Sequence, residues 1–240
     1  MPKGKGPHIL SRFDGDLGEF RQLVLDMGQL AIEQVQLACQ AVTTGDMHCV
    51  ARARDNFRDV RDLDMDLLES NINLLAIYHP VAGDLRFMIM LSRTAYDLER
   101  IHQEALRLVD LAESHQQHRN PMAGREIFDD VLFLAETANA MLADAMNAVS
   151  ESSTDIGLKV ARRPPELERM AEGALRRLAT YIMQDPRIIQ SVIDATVALK
   201  GLERIADHAV SIGRNVILAV SGKDVRHLNA LNLDRAFLRV

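Results

Sequence analysis

The tetrapeptide Leu-Glu-Arg-Ile occurs at Leu98 to Ile101 and again at Leu202 to Ile205, so the two copies stand 104 residues apart. At the same offset Leu63 meets Leu167, Leu74 meets Leu178, Ile89 meets Ile193 and Ala105 meets Ala209, while Asp64 meets Glu168 with its charge kept. A register held from about position 63 to 105 points to an internal duplication, and a duplicated chain folds as two like halves.

The period within each half is helical. Leu23, Val24, Met27, Leu30, Ala31, Val35, Ala38 and Val42 recur every three or four positions, with Gln34 the polar exception, which predicts one amphipathic helix over 14–44. Thr44-Gly45-Asp46 supplies a terminating glycine and a capping aspartate for a second helix over 47–78. His79-Pro80 ends that helix, because the residue before a proline resists the α conformation, and a third helix follows over 81–113. Ser114 to Gly124 reads as a polar connector whose His115 and His118 are solvated. The second half repeats the plan over 127–150, on to 184, and 186–219, with a kink or restart at Pro164-Pro165 and Pro165 near a first-turn position. Residues 1–13 and 221–240 read as tails, the latter partly helical, and no strand alternation occurs, so the expected fold class is all-α.

Composition narrows the function. Hydrophobic residues make up 48% of 240, enough for one long or two short cores, and aromatics only 4%, which favours helices over strands. A net charge of −6 argues against nucleic-acid binding through bulk electrostatics. Cys39 and Cys49 form no metal or redox motif, and every apolar run is broken by charge well short of a membrane span, so the expected location is the cytoplasm, with no membrane insertion.

Charged helix faces are the candidate sites. Arg86, Arg93, Arg100 and Arg107 fall at spacing seven with Asp97 and Glu104 between them, which makes either a solvated face laced by ion pairs or a docking stripe for an acidic partner. Glu203 and Asp207 stand at i, i+4 on one helix, and Glu168 and Glu172 at i, i+4 on the helix before it. If those helices are antiparallel the four acids face one another, and such a set is costly unless a cation or protons neutralise it. The first half carries Asp64 and Glu99, but Gln103 replaces the second acid. Glu99 and His102 form a Glu-x-x-His pair of the kind used in ferritin-like di-iron bundles, present in one copy only. This leaves a ferritin-like metal-dependent oxidase and a purely structural scaffold as alternatives to a binding protein. No phosphate-binding loop, nucleophile elbow or zinc-protease motif occurs.

Pro80-Val81-Ala82-Gly83-Asp84-Leu85-Arg86 followed by Asp97-Leu98-Glu99-Arg100-Ile101, and Asp185-Pro186-Arg187 followed by Leu202-Glu203-Arg204-Ile205-Ala206-Asp207, together resemble the PhoU family of phosphate-transport regulators. The resemblance extends over nearly the whole chain, including Met27-Gly28. It implies two tandem three-helix bundles packed side by side, here 14–118 and 119–220, in a homodimer. It further implies a non-enzymatic regulator acting on the ATPase of the phosphate ABC transporter and on a phosphate-sensing histidine kinase. The family's acidic helix motif, a binder of iron or other metal ions (zinc, manganese or magnesium among the candidates here), falls intact on Glu203 and Asp207 and only partly on Glu99. His102, where the family has glycine, is either an added nitrogen ligand or a neutral histidine hydrogen-bonded between helices.

Overall fold

A computed structural model describes residues 7–117 and 126–237, and among them every regular element is helical. The elements are α1 (Pro7–Thr44), α2 (Met47–Tyr78), α3 (Ala82–Gln117), α4 (Glu126–Glu151), α5 (Thr154–Ala161), α6 (Pro164–Gln184), a 3-10 turn (Pro186–Ile188), α7 (Ile189–Ser221) and α8 (Ala230–Phe237). Moving both ends of α3 by 104 residues gives Pro186 and Ser221, the start of the 3-10 turn and the end of α7. The duplication therefore governs helix boundaries as well as the Leu-Glu-Arg-Ile motif.

Local chemistry sets the breaks. The Asp46 carboxylate accepts the His48 N–H at 2.8 Å and opens α2, while His79 takes the left-handed conformation at φ 47° before Pro80 and closes it. Where α2 runs unbroken, its counterpart is split. Ser153 caps the short α5, and Pro164 and Pro165 open α6 at positions where a missing N–H costs nothing, which is the restart expected of the proline pair.

Four helices form the centre: α3 packs on α7, α7 on α4, α4 on α1 and α1 on α3. On the outside, α2 covers α1 and α3, and α6 covers α7 and α4. The result is the expected pair of three-helix bundles side by side, joined through the α3–α7 and α1–α4 seams. The former is antiparallel and polar along its length. Asp97 meets His208 at 2.9 Å, Glu104 meets Arg204 at 2.8 Å and His115 meets Asp194 at 2.7 Å. Between them Gly201 leaves room for Leu108.

His115 corrects the reading of a solvated connector. It lies on α3, which continues to Gln117, and is nearly buried against Asp194 and the ring of Phe128. His118 lies outside the described residues. The two tails also differ from expectation. Helix α1 starts at Pro7 and buries Phe13, because its apolar face extends one further turn onto the Tyr78 ring, 5.1 Å away. At the other end, Val225 and Leu233 pack with Leu158, Ala161 and Ile217, so that α8 folds back over α5 and α7, tied by Arg162 to Asp234 at 2.7 Å.

Close approach explains two glycines. A Cβ at Gly157 would lie 2.8 Å from the Gly213 carbonyl oxygen, so α5 crosses α7 backbone to backbone. A Cβ at Gly28 would meet only the flexible end of Met146. Gly28→Ala is therefore expected to change the unfolding free energy by less than about 1 kcal/mol, since alanine's better helix propensity offsets the displacement of the thioether. A urea midpoint lowered as far as a core truncation would contradict this.

Candidate functional site

The second-half acids gather between α6 and α7. Glu168, Glu203 and Asp207 line a cleft of about 260 Å³ together with Pro164, Leu167, Lys200 and Arg204. Lysine compensates one of them, since Lys200 Nζ sits 2.5 Å from Glu203 Oε2. Arg204 turns instead across the seam to Glu104. Partial desolvation, then the Glu203 and Glu168 carboxylates, raise the Asp207 carboxyl above the ordinary carboxylate range. Glu172 is not part of the cleft, and it pairs on the outer face of α6 with Arg176 at 2.9 Å. The expected facing set of four acids is thus three, with a lysine among them. Among the described residues no three His, Cys, Asp or Glu side chains stand close enough to hold a metal ion.

In the first half, Gln103 donates its amide to Glu99, the counterpart position of Asp207 thus serving as a neutral partner. Asp64 is exposed on α2. His102 is separated from Glu99, because three residues along a helix turn it by about 60° onto the core side. Its Nδ1 meets Gln34 Oε1, and the Gln34 amide donates to the Ala53 carbonyl at 3.2 Å. Of the two roles for His102, the structure has the core one: a hydrogen bond linking α1 and α3, fully enclosed. Burial pushes this imidazole down to about 4, only partly offset by the nearby Met27 backbone, and its Nε2 is left without a hydrogen-bond partner among the described residues. The Glu-x-x-His pair is not a di-iron half-site, and the ferritin-like oxidase reading falls with it.

The four spaced arginines divide. Arg107 pairs with Glu104, whereas Arg93 reaches Asn215 Oδ1 at 3.5 Å, Arg100 donates to the Tyr96 hydroxyl at 2.9 Å, and Arg86 is exposed. Sequence reasoning missed the seam pairs. Asp97 with His208 and His115 with Asp194 join residues 111 and 79 positions apart, and only polar residues on a core-facing stripe hinted at them. Lys200 could have been found, since it stands three residues before Glu203 on the same helix face.

Two like helical halves joined along antiparallel seams, with charges arrayed on their helix faces, define a duplicated all-helical repeat protein. No helix among the described residues is long and apolar enough to cross a membrane. The PhoU domain model matches residues 24–112 and again 131–216, so the chain belongs to the PhoU family, one of accessory regulators and not of enzymes. It is 35% identical over 225 residues to a phosphate-specific transport system accessory protein PhoU homolog of Pseudomonas putida, covering 92% of this chain and 85% of that protein. The accessory protein PhoU of Escherichia coli K12 is 28% identical over 230 residues, covering 95% and 93%. The crystal structure of PhoU from Pseudomonas aeruginosa superposes with a TM-score of 0.81 at 31% identity, covering 88% of this chain and 100% of that one.

Proposed function

We propose that this chain is a cytoplasmic regulator of phosphate uptake and phosphate-starvation signalling, a homodimeric adaptor that docks the phosphate transporter's ATPase subunit and a phosphate-sensing histidine kinase. The observation that carries it is similarity to phosphate-specific transport accessory proteins over 92% of the chain and both repeats. Deleting the gene is expected to derepress a phosphate-starvation reporter in phosphate-replete medium, and the wild-type chain to restore repression. Tagged protein that captures neither the ATPase subunit nor the kinase would sink the adaptor reading.

Cation binding at Glu168, Glu203 and Asp207 is a second element of the proposal: as they stand the three are not close enough to hold a metal, so a cation would have to draw them together, and the raised Asp207 carboxyl, set by burial first and by the Glu203 and Glu168 carboxylates after it, is the group that would gain most from one. A hard cation there would displace Lys200 from Glu203 and bind oxygen ligands. Elemental analysis after dialysis against iron, zinc, manganese or magnesium is expected to find bound metal that Glu203→Ala/Asp207→Ala loses and Glu99→Ala keeps. Equal metal content in all three proteins would remove the cation from the proposal.

A further inference from the structure

We propose that the face formed by α2 and the first half of α3 is the interface between two copies of this chain, registered by carboxylates along one edge and arginines along the other. The inference rests on the dimer reading above and is independent of the docking partners. Leu68 and Ile72 on α2 are 62% and 55% exposed, and Ile89 and Tyr96 on the adjacent α3 are 44% and 57% exposed. Between the two helices lies a mostly apolar groove of about 320 Å³ floored by Leu75 and Met88. Contiguous apolar surface of this kind marks an interaction site.

The fold itself does not require it. The same repeat offset places Glu172 at the position of Leu68 and Arg176 at that of Ile72, on α6, which packs as α2 does. One repeat has a charged outer helix and the other an apolar one, so the apolar residues are kept for something other than the bundle.

The edges say what covers it. Asp62, Asp66 and Glu69 lie along the side of α2 away from α3, while on α3 Arg93 stands at the rim of the groove, reaching Asn215 of α7, with Arg86 and Arg100 one heptad to either side of it; among the described residues none of the six is ion-paired. A second copy brings the complement: its α2 is an amphipathic helix with an apolar stripe and an acidic edge. A two-fold axis running parallel to the helices turns the acidic edge of one copy onto the arginine edge of the other and leaves every residue at its own height. An axis across the helices would set acid on acid. Heights follow from the antiparallel pairing, in which Leu75 and Ile89 line one groove and Arg54 reaches both Asp110 and Glu113, so the numbers of level residues total about 164 to 167. Glu69 is therefore level with residues 95–98, between Arg93 and Arg100, and Asp66 with residues 98–101, beside Arg100. The charges meet in register without any shift of one copy along the other.

Sedimentation velocity over a concentration series tests this. The wild type is expected to be a dimer. Ile72→Arg, which installs the side chain the other repeat already carries there, is expected to raise the dissociation constant about a hundredfold. Arg93→Glu is expected to raise it about tenfold, and Arg93→Glu combined with Glu69→Arg to return it to within about threefold of wild type. Arg176→Glu, on the equivalent face of the second repeat, should leave it unchanged. A wild-type monomer, a dimer indifferent to Ile72→Arg, or a charge swap that fails to restore association would each overturn the proposal. If the wild type is monomeric and Ile72→Arg instead abolishes capture of the ATPase subunit or the kinase, the face belongs to a different protein. In that case the adaptor reading survives and the self-association does not.

Discussion

Gly157→Leu is expected to lower the unfolding free energy by about 3 kcal/mol, at the upper end for an overpacked interior. The obstacle is main chain: the added Cβ would stand 2.8 Å from the Gly213 carbonyl oxygen, with Ile217 Cγ1 at 3.1 Å behind it. A side chain could rotate away, but a helix backbone cannot, so α5 would have to lift off α7. Lifting α5 uncovers the small apolar cluster of Leu158, Ala161, Ile217, Val225 and Leu233 and releases α8 with it. Urea denaturation checks the size of the loss, and faster proteolysis near the C-terminus checks its location. A midpoint within error of wild type would mean the crossing is looser than described.

The second large effect depends on pH. His102 is enclosed and neutral, with its imidazole pushed from the ordinary 6.5 down to about 4. Between those values the unfolded chain takes up a proton and the folded chain does not, so acid favours unfolding. The stability His102 confers is whole above about pH 6.5 and is lost as pH falls towards 4, a change of about 3 kcal/mol. Carboxylates titrate in part of the same range, so the test is a difference: urea melts of wild type and His102→Gln at several pH values from 7 to below 5, the variant expected to lose less stability across that interval. Parallel curves for the two proteins would show that the proton does not settle on His102.

The helices and their duplication were legible in the sequence because both depend on short-range regularity. Three-to-four spacing, Asp46 as a cap and the proline pair fix local geometry, and the offset between the two Leu-Glu-Arg-Ile copies carries one half onto the other. What was not legible depends on which direction a helix face points. His102 stood open between a ligand and a core histidine because it follows Glu99 by three residues; that interval turns it into the core, where Gln34, the one polar break in the α1 stripe, is its partner. His115 looked solvated because its neighbours in sequence are polar, and its actual partner, Asp194, is 79 residues away. The acidic cleft was half legible: Glu168, Glu203 and Asp207 converge as spacing suggested, but Glu172 points outward to Arg176 and Lys200 occupies a place the acids alone did not reveal.

The α1–α4 seam is antiparallel like α3–α7, with Arg21 against Ser150 and Gly28 against Met146, and the two seams together have a consequence for descent. Helices that are counterparts across the repeat run past one another in opposite directions, which is the signature of a rotation by half a turn. A forerunner encoding one repeat would have used that rotation to pair with itself, burying the surfaces that now join the halves of a single polypeptide. Fusion into one gene released each seam position from having to fit both sides of the contact. Asp97 now has Gly201 as its counterpart, and His208 has Glu104, substitutions that a self-paired ancestor could have accepted only in duplicate.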